Sequence, residues 1–384
     1  MDFSLNEVQT MLNDSIEKFI TKDYDFESRQ ANAASELGYS ADVWKTFAEL
    51  GWTAVPFSEA DGGFDGGPVE TMIVMQQFGR GLVIEPYLEN IVLAGGVLSA
   101  TATDAQKEQW LHPIISGELQ AALAFVEPQG RYDINHVETT ATADGDGWVI
   151  NGKKGIVLNG GRADLLIVPA RTSGDATDTD GISLFAVDGT ADGVTRHAFP
   201  TFDAHQAAEI SLSNVKVDAT AVLGEIGAGY ATLEKVIDNA TLAVCAEALG
   251  IMRVLTDKTV EYTKTRTQFG VPISSFQALQ HRMVDMLTAC EQTYSLLIWA
   301  ITANADGSDE AKKSVSAIKY QIGTAGKKVG QEAVQLHGAM GVTWELDVAH
   351  YFKRLTAIGQ MFGSADWHLD KLANGSTGQT SAQS

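Results

Sequence analysis

The fold is indicated by the segment Arg266-Thr267-Gln268-Phe269-Gly270-Val271-Pro272-Ile273-Ser274-Ser275-Phe276-Gln277, which lies between two helical patterns. An arginine can bind a pyrophosphate through two parallel hydrogen bonds, and a glycine allows close approach of the backbone. The N-terminus of the helix that follows adds a favourable partial charge for an anion. Taken alone, the segment is equally compatible with an interhelical turn that carries a surface arginine.

A second motif, Gln335-Leu336-His337-Gly338-Ala339-Met340-Gly341, ends a helical pattern at a glycine-rich turn. On its own it is typical of a helix C-cap. Around both motifs, apolar residues recur every three or four positions in three long runs, which is the spacing of helices packed side by side. These positions are Leu242, Cys245, Leu249, Met252 and Val260; then Leu279, Met283, Met286, Cys290 and Leu297; then Val315, Ile318, Ile322, Ala325, Val329 and Leu336. The sequence therefore predicts a C-terminal helical bundle of the four-helix type over residues 221–373.

Two regions precede the bundle. Residues 1–118 have a helical pattern, with Leu5, Val8, Leu12, Ile16 and Phe19 on one face. Residues 119–220 change to short β-rich runs separated by Gly/Asp turns, which indicates a small antiparallel β domain. These runs are Ala121–Val126, Trp148–Asn151, Leu165–Val168, Ile182–Val187 and Glu209–Val217. The fold class is therefore α+β, and the Gly/Ser/Thr/Gln-rich residues 374–384 are predicted to form a disordered tail.

The chain has 384 residues, with 27 Lys and Arg against 49 Asp and Glu and a formal net charge of −22. Such a charge repels phosphate backbones and anionic lipids, so neither nucleic acid nor a membrane is an expected partner. Residues 251–354 are the exception, with 12 basic against 10 acidic residues. That segment could be a solvated helical surface or the place where an anion docks.

The sequence also bears on the compartment. It shows no basic leader followed by an apolar segment and no uncharged run of about 18 apolar residues, so a cytoplasmic protein is expected. Its two cysteines, Cys245 and Cys290, are expected to be buried helix residues rather than disulfide or metal ligands. No metal site is expected.

Taken together, the motifs resemble a known family. Arg-x-Gln-Phe-Gly-x-Pro-Ile-x-x-Phe-Gln followed by Gln-x-His-Gly-x-x-Gly is similar to the pattern of the acyl-CoA dehydrogenases. Residues 56–63 look like the Pro-x-Glu-x-Gly-Gly turn of that family, Glu127-Pro128 like the core of its Thr-Glu-Pro segment, and residues 149–154 like its Asn-Gly-x-Lys strand. The resemblance covers essentially the whole chain and the same order of three domains: N-terminal helices (1–118), a middle β domain (119–220) and a C-terminal bundle (221–373).

The resemblance implies an FAD-dependent oxidoreductase of lipid metabolism, active in β-oxidation. A carboxylate base removes the α-proton of an acyl-CoA thioester while the β-hydride moves to flavin N5. The resemblance also implies that the two motifs hold the ADP half of an FAD whose ring lies in a neighbouring subunit. The residues at the matching positions are Arg266, Gln268, Phe269, Gln277, Gln335, His337, Gly338 and Gly341. Ala339 stands where the family usually has glycine.

The residues that the resemblance places beside the flavin ring depart from the family pattern. Val126 replaces the threonine of Thr-Glu-Pro, and Gln129-Gly130-Arg131-Tyr132-Asp133 replaces Gly-x-Gly-Ser-Asp. Ile156-Val157-Leu158 replaces the Trp-Ile-Thr that lies against the flavin. A leucine cannot form the hydrogen bond to flavin N5 that a threonine or serine hydroxyl forms.

The catalytic residue is unknown from the sequence, because neither usual base position carries a carboxylate. The family places its glutamate at one of two positions, which correspond here to Phe362 and Ala240. Glu247 and Asp238 are the weak candidates for a relocated base. Glu247 lies two helical turns beyond Ala240, roughly 10.5 Å away at 1.5 Å per residue, so a structural role is favoured.

Intact FAD motifs, altered ring-side residues and a missing base together resemble the small, or β, subunit of heteromeric acyl-CoA dehydrogenases of the pimeloyl-CoA and steroid side-chain types. The expected assembly is an α2β2 heterotetramer with a paralogous catalytic subunit. Two alternatives stay open: a self-sufficient homo-oligomer with a relocated base, and a flavin-free scaffold or CoA-binding module. The acyl group and the electron acceptor cannot be named from the sequence.

Overall fold

The computed structural model of the protein describes residues 5–374, so the predicted disordered tail lies outside the described residues except for Asn374. The described chain forms two compact units. The first comprises the described parts of Met1–Phe26, Pro68–Val83 and Thr241–Ser384, and the second comprises Glu27–Gly67 and Ile84–Ala240.

The helices run in both units. The α-helices of the described residues are α1 (Glu7–Lys22), α2 (Phe26–Ala33), α3 (Ala41–Glu49), α4 (Pro68–Gly81), α5 (Gly96–Thr101), α6 (Asp104–Gln106), α7 (His112–Ile115), α8 (Gly229–Thr265), α9 (Gln277–Ala305), α10 (Ala311–His337), α11 (Val348–Ile358) and α12 (Ala365–Ala373). Two π-helical segments, Leu88–Gly95 and Lys107–Leu111, and five short 3-10 turns, Trp52–Ala54, Glu59–Asp61, Ala219–Ala221, Ile273–Ser275 and Gly338–Val342, complete the helical structure described.

The strands lie between α7 and α8, with one further hairpin before α9. They are β1 (Ala121–Leu123), β2 (Thr140–Asp144), β3 (Gly147–Leu158), β4 (Leu165–Arg171), β5 (Ile182–Asp188), β6 (Val194–Pro200), β7 (Gln206–Asp218), β8 (Val222–Leu223), β9 (Thr267–Gln268) and β10 (Val271–Pro272). β1 to β8 form one sheet with the order β6-β7-β3-β2-β4-β5-β8, and β1 pairs with β4.

In the first unit, the long helices follow the predicted periodicity. Val315, Ile318, Ile322 and Val329 of α10 are buried, as is Leu249 of α8. Helix α10 packs closely on its neighbours because small residues face them. A Cβ atom at Gly323 would lie 2.8 Å from Ala365 Cβ, and one at Gly330 would lie 2.5 Å from Phe352 Cδ2. Close helix packing in this unit therefore depends on glycine.

Helices α4 and α8 cross through a second pair of glycines. A Cβ atom at Gly79 would lie 2.1 Å from the carbonyl oxygen of Glu247, and a Cβ atom at Gly250 would lie 2.1 Å from that of Gln76. Real Cβ atoms do not come this close to a backbone oxygen. The two helices can therefore approach each other only because both positions are glycine.

Helix α1 differs from the prediction in one respect. Ile16 of the predicted apolar face is buried, but Leu5 is 38% and Val8 is 71% exposed. The side chain of Gln9 reaches Glu70 of α4, and Asn13 accepts a hydrogen bond from Gln77. Polar contacts thus join the first half of α1 to α4, and the apolar face is buried only further along the helix.

In the second unit, the sheet buries a compact apolar core. Its members include Ile150, Val157, Leu166, Val168, Phe185, Val187, Ala208 and Ile210. Most pairings are antiparallel, as predicted, but β4 pairs in parallel with both β1 and β2. β2 and β6 were not predicted, because fewer than half of their side chains are buried and their hydrophobic alternation is weak.

Helix α8 is the one described helix that is long and apolar enough, by length and composition, to cross a membrane. Of its most apolar 18-residue window, 83% is buried inside the protein, which is the environment of a core helix. Cys245 of α8 and Cys290 of α9 are both buried free thiols, as predicted.

Candidate functional site

The first motif forms a tight hairpin at the end of α8. β9 and β10 pair with Gln268 opposite Val271, and Phe269 and Gly270 at the turn both have positive φ, 56° and 81°. No heavy atom lies within 4 Å of the position that a Gly270 Cβ would take. Phe269 is 92% exposed, and its ring meets the edge of Phe276 at 6.1 Å. The hairpin therefore presents an aromatic ring and accessible backbone to the outside of this unit.

Polar side chains around the hairpin are available for a ligand. Arg266, Gln277 and Gln335 are exposed and have no hydrogen-bond or ionic partner within the part of the chain that the structure describes. Gln268 donates only to the carbonyl of the adjacent Thr267, at 2.9 Å. The guanidinium and the two amides without a partner among the described residues, together with the exposed Gln268 amide, suit a ligand with several acceptors, such as a pyrophosphate and its nucleoside.

Tyr262 joins the two motifs. Its ring stacks on His337 with centroids 4.4 Å apart, and its carbonyl accepts a hydrogen bond from the Arg266 backbone N–H at 2.8 Å. The sequence analysis did not select Tyr262. Its position was a signal in the sequence, because it lies four residues before Arg266, in the last turn of the helix that leads into the first motif.

His337 is buried and keeps its second ring nitrogen for another group. Its Nδ1 lies 2.8 Å from the carbonyl oxygen of Ala333, which accepts only, so Nδ1 carries the proton and donates. Burial lowers the pKa of His337, although the Ala333 carbonyl opposes this effect. The imidazole is therefore neutral near pH 7, and Nε2 can accept a hydrogen bond.

The residues predicted to lie at the flavin ring occur together in the second unit. The β3–β7 register shifts between Lys154 and Val157, and within this irregularity the Gly155 N–H donates to the Val126 carbonyl at 2.8 Å. Ile156 is 56% exposed, whereas Val157 is buried. The structure thus brings Val126 beside residues 156–158, and all these side chains are hydrocarbon.

A buried ion pair holds the loop next to this region. Lys154 Nζ donates to Glu127 Oε1 at 2.6 Å, and both side chains are at most 2% exposed. The Glu127 carboxylate also accepts from the backbone N–H groups of Glu138 and Thr139. Burial acts to raise the pKa of Glu127, but the ammonium and the other donors outweigh it and hold the pKa at about 2. Glu127 is therefore a structural anion at neutral pH.

Arg171 fastens the other end of the same loop. Its guanidinium donates to the carbonyls of Asn135 at 2.9 Å, Ala176 at 3.0 Å, Asp178 at 3.0 Å and Asp180 at 2.8 Å. Residues 127–139 are consequently tied to the acidic loop 172–181. Hydrogen bonds therefore hold the backbone of residues 127–139 on both sides, although residues 129–133 differ from the family pattern.

The two positions that the resemblance assigns to the catalytic base hold apolar side chains in the structure. Ala240 of α8 is fully buried, and Phe362 lies half-buried in the turn between α11 and α12. Neither a methyl group nor a phenyl ring can accept a proton.

The two weak candidates have different surroundings. Glu247 is buried and receives hydrogen bonds from Arg354 Nε at 2.6 Å and Nη2 at 2.8 Å. Asp238 is half-buried near Tyr230, whose pKa rises to about 12 through burial and through the nearby carboxylates of Glu234, Asp238 and Asp133. The Arg354 partner of Glu247 lies 107 residues away in sequence, so the pair could not be read from local spacing.

Comparison with known proteins identifies the family. Sequence models of the acyl-CoA dehydrogenase N-terminal, middle and C-terminal domains match residues 6–118, 122–215 and 227–377. The chain is 30% identical over 339 residues to 3-(aryl)acrylate reductase of Clostridium sporogenes, covering 85% of this chain and 88% of that protein. The chain belongs to the acyl-CoA dehydrogenase family.

Solved structures agree over nearly the full length. PigA with FAD and proline superposes with a TM-score of 0.90 and 25% identity, covering 97% of this chain and 98% of that one. The ChsE4-ChsE5 complex from Mycobacterium tuberculosis contains a chain with a TM-score of 0.89 and 26% identity, covering 99% and 100%. The predicted family, its three-domain α+β fold, its oxidoreductase class and FAD as its cofactor are therefore confirmed.

The side chains of the first unit fit such a cofactor. The side chains of Arg266, Gln277 and Gln335, which have no partner among residues 5–374, match the many acceptors of a dinucleotide. Gly338 leaves open space at a positive φ of 62°. The residues of the second unit that are predicted to lie beside the flavin ring fit less well, because Val126 and Leu158 offer no side-chain hydrogen bond.

Proposed function

We propose that this chain is the non-catalytic β subunit of a heteromeric FAD-dependent acyl-CoA dehydrogenase. In this proposal it completes the FAD site of a paralogous catalytic subunit in an α2β2 assembly, in the cytoplasm, and the complex desaturates an acyl-CoA thioester between its α and β carbons. The observation that carries the proposal is the apolar character of both base positions, Ala240 and Phe362.

The surroundings of Glu247 support the absence of a base. A general base must reach the α-carbon with a free lone pair. Both carboxylate oxygens of Glu247 are held by Arg354, and both side chains are at most 5% exposed. Moving this carboxylate to a substrate would break a buried ion pair, which costs roughly 3–5 kcal/mol. We assign Glu247 a structural role.

Asp238 is the remaining weak candidate in the described chain. It is half-buried on α8, and the pKa of Tyr230 is raised by burial and then by the negative field of Glu234, Asp238 and Asp133. Such a field opposes the enolate-like charge that develops when the α-proton is removed. A cationic or hydrogen-bonding group would have to offset this field, and the ring-side residues Val126 and Leu158 supply neither.

The first unit supports a role in FAD binding. FAD, when bound, accepts the β-hydride on its ring. The residues of this chain that we assign to its ADP half are Arg266, Gln268, Phe269, Gln277, Gln335, His337 and Gly338. Arg266 would grip the pyrophosphate, the three glutamines would bind neighbouring acceptors, and neutral His337 would accept a hydrogen bond at Nε2.

The solved ChsE4-ChsE5 complex supports the assembly, because it joins two differently named proteins and a chain of that complex shares the fold of this chain. PigA supports the cofactor, because its structure contains FAD. A homo-oligomer with a relocated base and a flavin-free scaffold are the competing functions, and the test below separates them.

The test is dye-linked acyl-CoA oxidation by the purified chain, alone and with the acyl-CoA dehydrogenase paralogue that copurifies from its native host. We expect no turnover by the chain alone on short, medium or ring-bearing acyl-CoAs, and turnover by the complex. In the complex, Glu247→Gln and Asp238→Asn should leave kcat within about threefold, because loss of a true base costs orders of magnitude. Robust turnover by the single chain, abolished by either substitution, would establish the homo-oligomeric enzyme instead.

A further inference from the structure

The turn between α11 and α12 has an unusual backbone. Phe362 has φ 54° and Gly363 has φ 121°, two consecutive residues in a region that side chains rarely adopt. A Cβ atom at Gly363 would lie 2.5 Å from His368 Nε2. A left-handed Phe costs free energy, so other contacts must hold the turn in this conformation.

Lys319 of α10 supplies the first of these contacts. Its side chain is completely buried, and Nζ donates to the carbonyl of Gly363 at 2.6 Å and to that of Gly359 at 3.4 Å. No carboxylate pairs with it in the described chain. Burial lowers the pKa of Lys319 to about 8. Its position was detectable in the sequence, because it falls four residues after Val315 on the apolar face of the helix.

His368 of α12 supplies the second contact. Its Nε2 lies 3.1 Å from the carbonyl oxygen of Phe362, so Nε2 carries the proton and donates. Burial, with a further contribution from the Lys319 ammonium, lowers the pKa of His368 to about 3, so the ring is neutral. Ser364 adds a third contact, because its side chain caps α12 by accepting from the Trp367 N–H.

These contacts have one property in common: each of the two buried side chains binds a backbone carbonyl of the turn. Lys319 donates to the carbonyls of Gly359 and Gly363, and His368 donates to the carbonyl of Phe362. Because these hydrogen bonds are made to the backbone, they do not require a particular side chain at position 362.

We propose that Lys319 and His368 are positioning residues that fix the place of side chain 362, and that this frame accepts a carboxylate there as well as the present phenyl ring. The proposal rests on the proposed function in one respect, the assignment of position 362 as the base position. The chain has thus lost the base and kept the frame that would aim it.

The experiment compares the turn in full-length variants without flavin or acyl-CoA. Hydrogen exchange is followed by mass spectrometry in peptides covering residues 359–364, and 4-fluorophenylalanine placed at position 362 reports side-chain order by fluorine NMR. Lys319→Met removes the donor, Lys319→Arg keeps one, and Phe362→Glu changes only the side chain. Lys328→Met is the matched control, because Lys328 lies on the same helix and is 53% exposed.

We expect exchange across residues 359–364 to accelerate roughly tenfold or more in Lys319→Met, to recover partly in Lys319→Arg, and to stay within about twofold of wild type in Phe362→Glu and Lys328→Met. The fluorine resonance should be one narrow line in wild type and broad or split in Lys319→Met. If Lys319→Met does not fold, His368→Phe, which keeps a ring and removes the N–H, should show the same local acceleration.

Unchanged exchange in both Lys319→Met and His368→Phe would overturn the proposal. So would Phe362→Glu if it loosened the turn as much as the loss of the Lys319 donor. Neither readout involves catalysis or partner binding, so such a result would leave the proposed function standing, and a failure of the proposed function would leave these readouts valid.

Discussion

Replacing Lys154 by methionine tests the buried ion pair that holds the loop of residues 127–139. Lys154 Nζ lies 2.6 Å from Glu127 Oε1 and also donates to the Pro169 carbonyl at 2.7 Å. Methionine keeps a side chain of similar length and removes the charge. The Glu127 carboxylate would then stay buried with its backbone donors but without a cation. Leaving one charge of a buried ion pair without its partner strongly destabilises a protein.

The magnitude follows from the pKa of Glu127. The pKa is held at about 2 against an ordinary 4.5, and this difference corresponds to about 3 kcal/mol of stabilisation of the charged form. Breaking a buried pair typically costs roughly 3–5 kcal/mol, which agrees. Because the pKa is depressed in the folded state, the wild-type protein has this stabilisation above pH 4.5 and loses it as the pH falls towards 2.

The assay is urea unfolding at pH 7 and at points down to pH 3, followed by circular dichroism. Lys154→Met should lower the free energy of unfolding by about 3 kcal/mol at pH 7. Below pH 4.5 its free energy of unfolding should fall less steeply with decreasing pH than that of wild type. Lys45→Met is the control, because the Lys45–Glu49 pair is 3.6 Å long and exposed, and its loss should cost at most about 0.5 kcal/mol.

The additional variant Glu127→Gln/Lys154→Met removes both charges and should be more stable than Lys154→Met alone. The reasoning is refuted if Lys154→Met costs no more than Lys45→Met at pH 7, or if its stability falls with acid as steeply as that of wild type.

Three further outcomes are expected. Gly79→Ala should destabilise the protein by roughly 1–3 kcal/mol in thermal or urea unfolding, because the added Cβ would clash with the Glu247 carbonyl. Gly96→Ala is the control and should not destabilise the protein, because its Cβ would lie 3.5 Å from Val236, an ordinary van der Waals distance. The native thiols should resist iodoacetamide at pH 8 and react only after unfolding, because burial raises the pKa of Cys245 to about 12 and also raises that of Cys290; fast native labelling would contradict their burial. Arg266→Ala should weaken FAD binding in the complex by roughly 1.5–3 kcal/mol. Lys264→Ala, which removes an exposed partner of Glu261, is the control and should leave FAD binding unchanged. Equal flavin affinity in both variants would show that the hairpin does not bind FAD.

The C-terminal helices were predictable because their buried faces are long and regular. The periodic positions of α8 and α10, such as Leu249 and Ile322, are buried as expected. The same rule failed for Leu5 and Val8, because the start of α1 contacts α4 through Gln9 rather than through its apolar face. Periodicity reports what a helix can bury, and tertiary contacts decide how much of it is buried.

The sheet was predictable only where its strands are apolar on both faces. β4 and β5 are buried almost throughout and were recognised, whereas β2 and β6 lie largely in contact with solvent and carry little hydrophobic signal. The parallel pairing of β1 with β4 joins strands that are far apart in the sequence, so no local turn motif could predict this pairing.

The functional site, like the sheet, was only partly predictable from the sequence. Motif spacing selected Arg266 and His337. It could not show that Tyr262 links them or that Arg354 forms an ion pair with Glu247, because both contacts exist only in the folded protein. Lys319 was detectable in the sequence as a charged residue on the apolar face of a helix. Its role follows only from the backbone carbonyls to which it donates in the structure.

The number of flavins per chain tests the central claim most directly. If this chain supplies ADP-binding residues but no ring site of its own, the native complex should contain half as many flavins as acyl-CoA dehydrogenase-type chains. Flavin absorbance after denaturation, divided by the protein concentration from amino-acid analysis, gives this ratio. One flavin for every chain would show that the residues around Val126 and Leu158 bind a flavin ring after all, and would contradict the non-catalytic assignment.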